Sequence, residues 1–470
     1  MERDWQSELD ARDREIAELK AQLAAALARI AELERLLAAN SINSGKPPST
    51  DDAATREERR KKRNRLKSER KRGARPGHKA KFRSLVPPER VTRRHEHFPK
   101  ECGRCNHHLP KQPSGDPSRH QVAEIPEIHP DVDEHLLHQV QCPCCGEVTR
   151  AKLPKRVPRG VFGPRLMAFV ALLTGVYHLS RRDTASFLKQ ALDLDVSLGG
   201  ISGIERRVSD ALAPATKEAT EHALDACAKH VDATGWRNAG RYRNLWTIAT
   251  EAVTVFGITL DGSRKALRKL LSRAHGVLVS DRAGQFNFWA MQDRQICWAH
   301  LLRKFVEYSE RGGEAGELGR GLVLLTQTLF HAIHKVRDGT ISETEFRHLM
   351  ANLGPHIEAK LERTAALKIR GVSRSCTNIL EHREALWTFV DNPDVEPTNN
   401  HAERELRRFV LWRKRSFGSQ SERGERYAER IMTVAHTLRK QKRSLLAFLT
   451  DTLKAQLRRK PHPSLLPARA

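Results

Sequence analysis

The chain has 470 residues, well beyond the usual size of one domain, so several folding units are expected. Lysine and arginine number 83 against 57 aspartates and glutamates, which gives a formal net charge of +26. This charge is atypical of an enzyme that acts on small molecules and favours a polyanionic partner such as nucleic acid, with a merely basic surface as the alternative. The longest apolar run, at residues 166–179, is too short to span a bilayer, and the charged N-terminal stretch lacks the apolar region of a signal peptide. We therefore expect no membrane association and a cytoplasmic protein.

Residues 1–40 carry apolar residues at heptad spacing. The first series runs from Leu9 to Leu37, and a second series follows three residues later with Leu19, Ala26 and Leu33. This spacing predicts a leucine-zipper-like coiled coil at residues 1–40 and a homodimer or higher oligomer. A single amphipathic helix packed on its own protein is the alternative.

A flexible basic linker is predicted at residues 41–95. It begins with "NSINSGKPPSTDD", whose Asn, Ser, Gly and Pro residues end the helix. Residues 56–72 then hold eleven basic and three acidic side chains. Such a run can neutralise phosphates, although many charge runs are simply solvated.

Two C-x-x-C pairs, Cys102 with Cys105 and Cys142 with Cys145, fall in residues 96–155. Each pair directs two sulfurs from one tight turn, and four thiolates complete a tetrahedral zinc site without an open position. The pattern predicts a structural zinc ribbon. Three nearby residues are alternative ligands: His107, His108 and Cys144.

Residues 160–227 are predicted to be helical, with a glycine-containing turn between two helices. A helix-turn-helix DNA-binding unit has this pattern, and so does any helical hairpin. Arg206 and Arg207 lie on the second helix and are candidate DNA contacts.

An α/β unit follows at residues 228–310 and 391–440. Short β-branched and aromatic runs predict three strands in a meander, a helix, and two further strands at "GVLVSD" and "RQICWAH". Residues 311–390 are predicted as a helical insertion and residues 441–470 as a C-terminal basic tail. The fold class expected is multidomain α+β.

Three acidic residues stand out in this unit. Asp232 and Asp281 each occur where a predicted strand ends, and the edges of open α/β sheets are where sites form. Glu403 lies on a predicted helix face with Leu406 and Val410, which should be half-buried against the sheet. Asp commonly starts turns, and Glu403 fits a capping box with Asn400, so structural roles are the alternative.

The chain resembles transposases of the insertion sequence 66 family. The resemblance rests on several motifs in order: "NSINSGKPPS", "RPGHK", the paired C-x-x-C ribbon, "DATGWR", "LVSDRAG", "CWAHLLRKF", "NNHAERELR" and "WRKRSFGSQSERG". It implies an RNase H-like core with a catalytic DDE triad at Asp232, Asp281 and Glu403. Ala233 departs from the family pattern, which often has glutamate there, without affecting the triad.

The resemblance implies metal-dependent DNA cleavage and strand transfer. Phosphodiester exchange needs activation of the attacking hydroxyl and stabilisation of the leaving oxygen, which two Mg²⁺ (or Mn²⁺) ions held by three carboxylates can supply. Asp232 is expected to bridge the ions, with Asp281 and Glu403 each holding one. The resemblance also marks a C-x-x-H motif of Cys297 and His300.

Cationic residues are expected to support this chemistry. Arg303 follows the C-x-x-H motif, in which Cys297 also has the alternative role of a core residue. The basic residues after Glu403 are predicted to hold the DNA backbone: Arg404, Arg407, Arg408, Arg413, Lys414 and Arg415. The expected partners are the terminal repeats of the element, target DNA and, as an option, accessory element-encoded proteins; DNA would place the protein at the nucleoid.

Two other functions are open from the sequence. A non-enzymatic DNA-binding regulator would use the coiled coil, basic run, zinc ribbon and helical hairpin, but would have no need of the α/β unit. A nuclease of the same fold would differ only in using water in place of a 3′-hydroxyl.

Deleting residues 1–40 removes the predicted coiled coil and is expected to convert the oligomer to a monomer. Sedimentation velocity of the full chain and the truncated chain measures this. An unchanged oligomer would refute the coiled-coil prediction.

Overall fold

The computed structural model of the protein describes residues 84–467 and a few helical positions before them, at 18–20, 22–23, 26–27, 30, 57 and 61. Most of the predicted coiled coil and most of the predicted basic linker therefore lie outside the described residues. No helix in the described part is long and apolar enough to cross a membrane.

The predicted zinc ribbon contains two similar turns. In this part of the described chain, strands β1 (Gln139–Gln141) and β2 (Val148–Arg150) pair antiparallel around the second C-x-x-C motif. Each motif is followed by a residue of positive φ, Asn106 at 57° and Gly146 at 76°. Asn and Gly adopt this conformation most readily. The N–H of each donates to the carbonyl of the first cysteine of its motif.

These turns favour the thiolate form of their first cysteines. The backbone N–H of Arg104 is the largest influence that lowers the pKa of Cys102, and that of Cys145 lowers the pKa of Cys142. Zinc binds thiolates, so the donor set suits it. Within residues 84–467, however, the sulfurs of the two turns do not form a group of three or more donors within 4.8 Å of one another. The four-thiolate zinc site stays a prediction.

A helical region precedes the main sheet. Helix α1 (Pro164–Ala171) starts with proline at its first position and continues as a π-helical turn, Leu172–Val176. Helices α2 (Arg181–Leu192) and α3 (Leu198–Asp225) each begin with a serine whose hydroxyl accepts a backbone N–H. The two helices form the pair that the sequence predicts at 160–227.

The main sheet is mixed. Within the described residues it has five strands, in the order β5–β4–β3–β6–β7. The strands are β3 (Ala228–Asn238), β4 (Arg241–Ala249), β5 (Thr254–Thr259), β6 (Val277–Ser280) and β7 (Arg294–Ile296). The β3–β4–β5 meander is antiparallel, whereas β6 and β7 run parallel to β3. All five predicted strands are confirmed.

Strand β3 is much longer than the parallel strand beside it. Its pairing with β6 covers Ala228 to His230 only. The side of β3 that faces β6 therefore has no partner in β6 beyond His230. Ser419, which comes much later in the chain, forms a parallel bridge with Asn238 at the end of β3. The open edge leaves room for a helix to cross the sheet there.

Nine helices complete the described chain. They are α4 (Arg264–Leu270), α5 (Trp298–Ser309), α6 (Gly313–Arg337), α7 (Glu343–Ala366), α8 (Ser373–Leu380), α9 (Thr388–Asp391), α10 (Asn400–Ser416), α11 (Glu422–Lys440) and α12 (Leu445–Arg458). Helices α6 to α9 fall in the predicted insertion at 311–390 or directly after it.

The buried apolar residues form two clusters. One joins α1–α3 to strands β3–β5 and to α10–α12. The other joins α5 and the inserted helices to β6 and β7. Trp298 ties the insertion to the sheet, because its indole N–H donates to the carbonyl of Leu386 and its backbone N–H donates to that of Pro397. The insertion is thus packed on the core.

The predicted C-terminal basic tail at 441–470 is wrong. Helix α12 lies there and buries Phe448, Leu449 and Leu453, and Leu465 is also fully buried. The basic residues of this segment drew attention away from apolar residues at helical spacing. These apolar residues form the face by which α12 packs on α1 and α3.

Replacing Phe409 of α10 with alanine is expected to cost about 3–5 kcal/mol of unfolding free energy. Its ring is fully buried and contacts Trp236 and Phe256 on the sheet. Urea unfolding measures the loss. Leu411→Ala on the same helix is the matched control: its side chain is 53% exposed, so a change within about 0.5 kcal/mol is expected.

Cys105→Ser and Cys142→Ser are each expected to lower the zinc content of the purified protein from about one ion per chain to near zero. Elemental analysis by mass spectrometry measures it. Cys227→Ser is the control, because Cys227 is exposed and lies outside both turns. A folded wild-type protein without zinc would refute the ribbon prediction.

Candidate active site

Asp232 lies within strand β3, next to its parallel pairing with β6. It pairs across the sheet with Thr247 of β4 and is half-buried. One carboxylate oxygen accepts the N–H of Ala233 at 2.8 Å. The sequence placed Asp232 at a strand end, but the strand continues for six residues beyond it, to Asn238.

Asp281 directly follows β6, as predicted. Its carboxylate accepts the N–H of Ala283 at 2.9 Å, which fixes the turn after the strand. Its carbonyl accepts from the guanidinium of Arg294 at 2.7 Å. Arg294 is fully buried, so it holds this turn from inside the sheet. Because β3 and β6 pair in parallel with His230 opposite Val279, Asp232 and Asp281 each follow two residues later and lie at the same level of neighbouring strands.

Glu403 is in the first turn of α10, and the predicted capping box with Asn400 is wrong. The helix is capped by Asn399, without a side-chain capping bond, and Asn400 is already helical. The Glu403 N–H donates to the carbonyl of Asn399 at 3.2 Å. Adjacent asparagines made the position of the cap ambiguous in the sequence. The Glu403 carboxylate is therefore free of the helix terminus.

Glu403 instead faces helix α5. Its Oε1 accepts from Nη2 of Arg303 at 3.2 Å, and Nδ1 of His300 lies 3.5 Å from the same oxygen. That separation is too long for a good hydrogen bond. Nδ1 of His300 is buried and has no hydrogen-bond partner among the described residues. Burial, followed by the charge of Arg303, lowers the pKa of His300.

The three acids influence one another electrostatically. Burial is the largest cause that raises the pKa of Asp232 to about 7; the charges of Asp281 and Glu403 also raise it, and the Ala233 N–H and Arg303 oppose them. Like charges that share a poorly solvated site favour binding of a cation. The charges of Asp281 and Glu403 therefore reach Asp232, although among the described residues the three acids do not form a group of donor atoms within 4.8 Å of one another.

An open cleft of about 350 Å³ lies beside these acids. Its lining comprises Asp281, Arg282, Ala283, His300, Arg303, Lys304, Ser375 and Asn378. One wall thus comes from the turn after β6, one from α5 and one from the inserted helix α8. Arg282 bridges two of these walls, since its guanidinium donates to the side chain of Asn378 at 2.8 Å. The cleft is cationic beside the acids.

The C-x-x-H motif contributes to the same place. One donor atom from each of Cys297, His300 and Glu403 lies within 4.8 Å of the others, and in the described part of the chain this is the group of three that could hold a metal. Cys297 is fully buried at the start of α5, as its alternative role as a core residue expected. Its sulfur accepts the N–H of Asn399 at 3.1 Å.

Asn399 is a residue of the site that sequence reasoning missed. Its side chain donates to the carbonyl of Val231 at 2.8 Å, and its backbone contacts Cys297. It therefore joins β3, α5 and α10, the elements that carry Asp232, His300 and Glu403. The adjacent asparagines at 399 and 400 marked this position in the sequence, but the role inferred from them was a helix cap at Asn400.

The basic residues of α10 divide into two groups. Five are not tied to the sheet by any hydrogen bond and are exposed to solvent: Arg404, Arg407, Arg408, Lys414 and Arg415. Arg413 differs, because its guanidinium donates to the hydroxyl of Thr234 at 3.2 Å and to the carbonyl of Gly235. Arg413 therefore anchors α10 on β3, and its predicted contact with DNA stays a prediction.

Other predicted site residues lie outside the cleft. Arg206 and Arg207 are exposed on α3, and neither lines the cleft. The four ribbon cysteines, Cys102, Cys105, Cys142 and Cys145, also lie outside its lining. These residues belong to separate surfaces from that of the acids.

Comparison with known proteins identifies the chain. Residues 1–84 match a family of unknown function (DUF6444). "Uncharacterized protein y4hP" of Sinorhizobium fredii (strain NBRC 101917 / NGR234) is 24% identical over 369 residues, which cover 71% of this chain and 66% of that protein. The chain thus spans slightly less than two thirds of the length of this relative. Residues 159–427, more than half of the chain and all three acids, match the model of the transposase IS66 family, and the chain belongs to that family.

Proposed function

We propose that the protein is a DNA transposase that cleaves and joins DNA strands through the site formed by Asp232, Asp281 and Glu403. The observation that carries this proposal is the charge cluster itself: acids from two adjacent strands and from α10 lie close enough to raise the pKa of Asp232. Family membership supports the same chemistry. We further propose that the mixed sheet and its flanking helices are an RNase H-like core.

The donor set suits divalent metal ions. Carboxylate oxygens are the ligands that Mg²⁺ and Mn²⁺ prefer, and the mutual repulsion of the three acids would be relieved by cations. Two such ions would supply activation of the attacking hydroxyl and stabilisation of the leaving oxygen. Asp232 is influenced by the charges of both Asp281 and Glu403, so it is the acid that we propose would be shared by the two ions. Asp232, Asp281 and Glu403 are the residues that would hold these ions.

Arg303 and His300 prepare Glu403 in the absence of metal. The guanidinium of Arg303 offsets the charge of the Glu403 carboxylate from 3.2 Å. Nδ1 of His300 lies 3.5 Å from the same carboxylate oxygen. Both side chains also line the cleft, together with Lys304. A metal held by Glu403 would replace Arg303 as the partner of this carboxylate, and Arg303 would then be available to bind a phosphate in the cleft. His300 and the buried Cys297 are positioning residues in this scheme.

The exposed cations of α10 are the proposed track for the DNA backbone. Arg404, Arg407 and Arg408 lie within two turns of Glu403, and Lys414 and Arg415 continue the row to the end of the helix. Cations spaced along a helix can contact successive phosphates. DNA bound on this track would lead directly to the acids.

The outlying surfaces are proposed to select the DNA. The zinc ribbon and the α2–α3 helix pair, with Arg206 and Arg207 exposed, would bind the terminal repeats of the element. The heptad segment at 1–40 would join two or more copies, so that both ends are held together. Target DNA and accessory element-encoded proteins complete the proposed partners.

Asp232→Asn, Asp281→Asn and Glu403→Gln are each expected to reduce joining of element ends by roughly a thousandfold, because each removes a metal ligand worth several kcal/mol. The assay measures Mg²⁺- or Mn²⁺-dependent joining of labelled end DNA to a target plasmid. DNA binding, followed by gel shift, should persist in all three variants. Glu396→Gln is the matched control, since Glu396 precedes α10 but pairs with Arg337 at the surface.

The products distinguish the competing functions. Joined molecules indicate a transposase, whereas nicked ends alone indicate a nuclease that uses water. Binding without any cleavage by the wild-type protein would indicate a regulator. Full joining by any one acid variant would remove that residue from the proposed triad.

A further inference from the structure

Phe417 is an exposed aromatic residue in an unusual backbone conformation. Its φ is 56°, in the left-handed region, which is uncommon for a bulky residue. It ends α10 at the position where glycine or asparagine normally serves. Its side chain is 77% exposed, so no packing inside the protein accounts for the ring.

The backbone around Phe417 is held firmly. The Phe417 N–H donates to the carbonyl of Arg413 at 2.8 Å. Gly418 follows with a φ of 103°, and a Cβ there would lie 2.2 Å from the carbonyl oxygen of Arg237. The N–H of Ser419 donates to that same carbonyl at 2.8 Å. The ring is therefore presented to solvent from a rigid support on the free edge of β3.

The surroundings of the ring are basic. Lys414 and Arg415 lie in the last turn of α10, and Arg237 and Arg241 are exposed at the adjoining β3–β4 hairpin. Glu405, the acid of α10 closest in sequence to Phe417, does not offset these cations. Its side chain is turned inward and pairs with His436. An exposed aromatic ring among cations is the arrangement that binds nucleic acid by stacking.

We infer that Phe417 is a DNA wedge that stacks against a base, and unstacks it from its neighbour, when DNA lies along α10. This inference rests on the proposed function, because it uses the same DNA track. Apolar side chains inserted at a base step kink DNA in this way. A ring kept where asparagine would terminate the helix with less strain is consistent with this role.

The structure also predicts which base is contacted. Along α10, Phe417 lies fourteen residues beyond Glu403, or about 21 Å. Along β3, Asn238 beside the wedge lies six residues beyond Asp232, or about 20 Å. One strand of DNA rises 3.4 Å per nucleotide, so the wedge contacts a base about six nucleotides from the cleaved bond.

The test uses 2-aminopurine, whose fluorescence rises when it is unstacked. Duplexes of about 40 base pairs from the boundary of the encoding element carry the probe roughly 3, 6, 9 or 12 nucleotides from the cleavage point. The full-length protein is added without Mg²⁺, so cleavage does not intervene. We expect a several-fold rise confined to the probe near position 6.

Three variants isolate the ring. Phe417→Asn should abolish the rise while the melting temperature stays equal to or above that of wild type, because asparagine tolerates the left-handed conformation. Phe417→Trp should retain the rise. Leu411→Ala, which removes another exposed apolar side chain from α10, should leave it unchanged.

Three results would overturn the inference. A rise that persists in Phe417→Asn, or no rise at any probe position although wild type binds and later cleaves the same duplex, rules out the wedge and leaves the proposed function intact. A wild-type protein that binds none of the duplexes rules out both the wedge and the proposed function.

Discussion

The packing of helix α10 on strand β3 is the contact on which the site depends. Phe409 and Trp412 of the helix pack against Trp236 of the strand, and Arg413 anchors the far end by binding the backbone of Gly235. At the near end, Asn399 binds the carbonyl of Val231. Held at both ends and in the middle, the helix has one orientation, and in that orientation the charge of Glu403 acts on Asp232. The open edge of β3 makes the contact possible, because a longer β6 would occupy it.

This arrangement places an acid on one side of helix α10 and a row of cations on the other. The side toward the sheet carries an acid that must stay near other acids, and Arg303 offsets its charge there. The side toward solvent carries cations that repel one another but are well hydrated. A second buried network, in which Glu405 pairs with His436 and Lys440, ties α10 to α11. Loss of that pairing would leave an uncompensated charge in the core.

The sequence predicted much of the fold because its signals are local. Alternating and β-branched runs located the strands, and Asp281 follows β6 as expected. The pattern could not locate contacts that form only in three dimensions. Buried Arg294, which holds the Asp281 turn, looks like any surface arginine in the sequence, and Arg413 lies in a basic run whose other members face solvent. Helix α12 was missed because basic residues flank its apolar stripe on both sides, and the cap at Asn399 because two asparagines are adjacent.

The insertion has a consequence for the time at which the site forms. Val231 and Asn399, whose hydrogen bond joins β3 to α10, are 168 residues apart, and the inserted helices occupy much of that interval. A ribosome adds about 5–20 residues per second, so roughly 10–30 s separate synthesis of the first acid from that of the third. For most of that interval the nascent chain has Asp232 and Asp281 but lacks Glu403. The inserted helices thus postpone assembly of the acid cluster until most of the protein has been made.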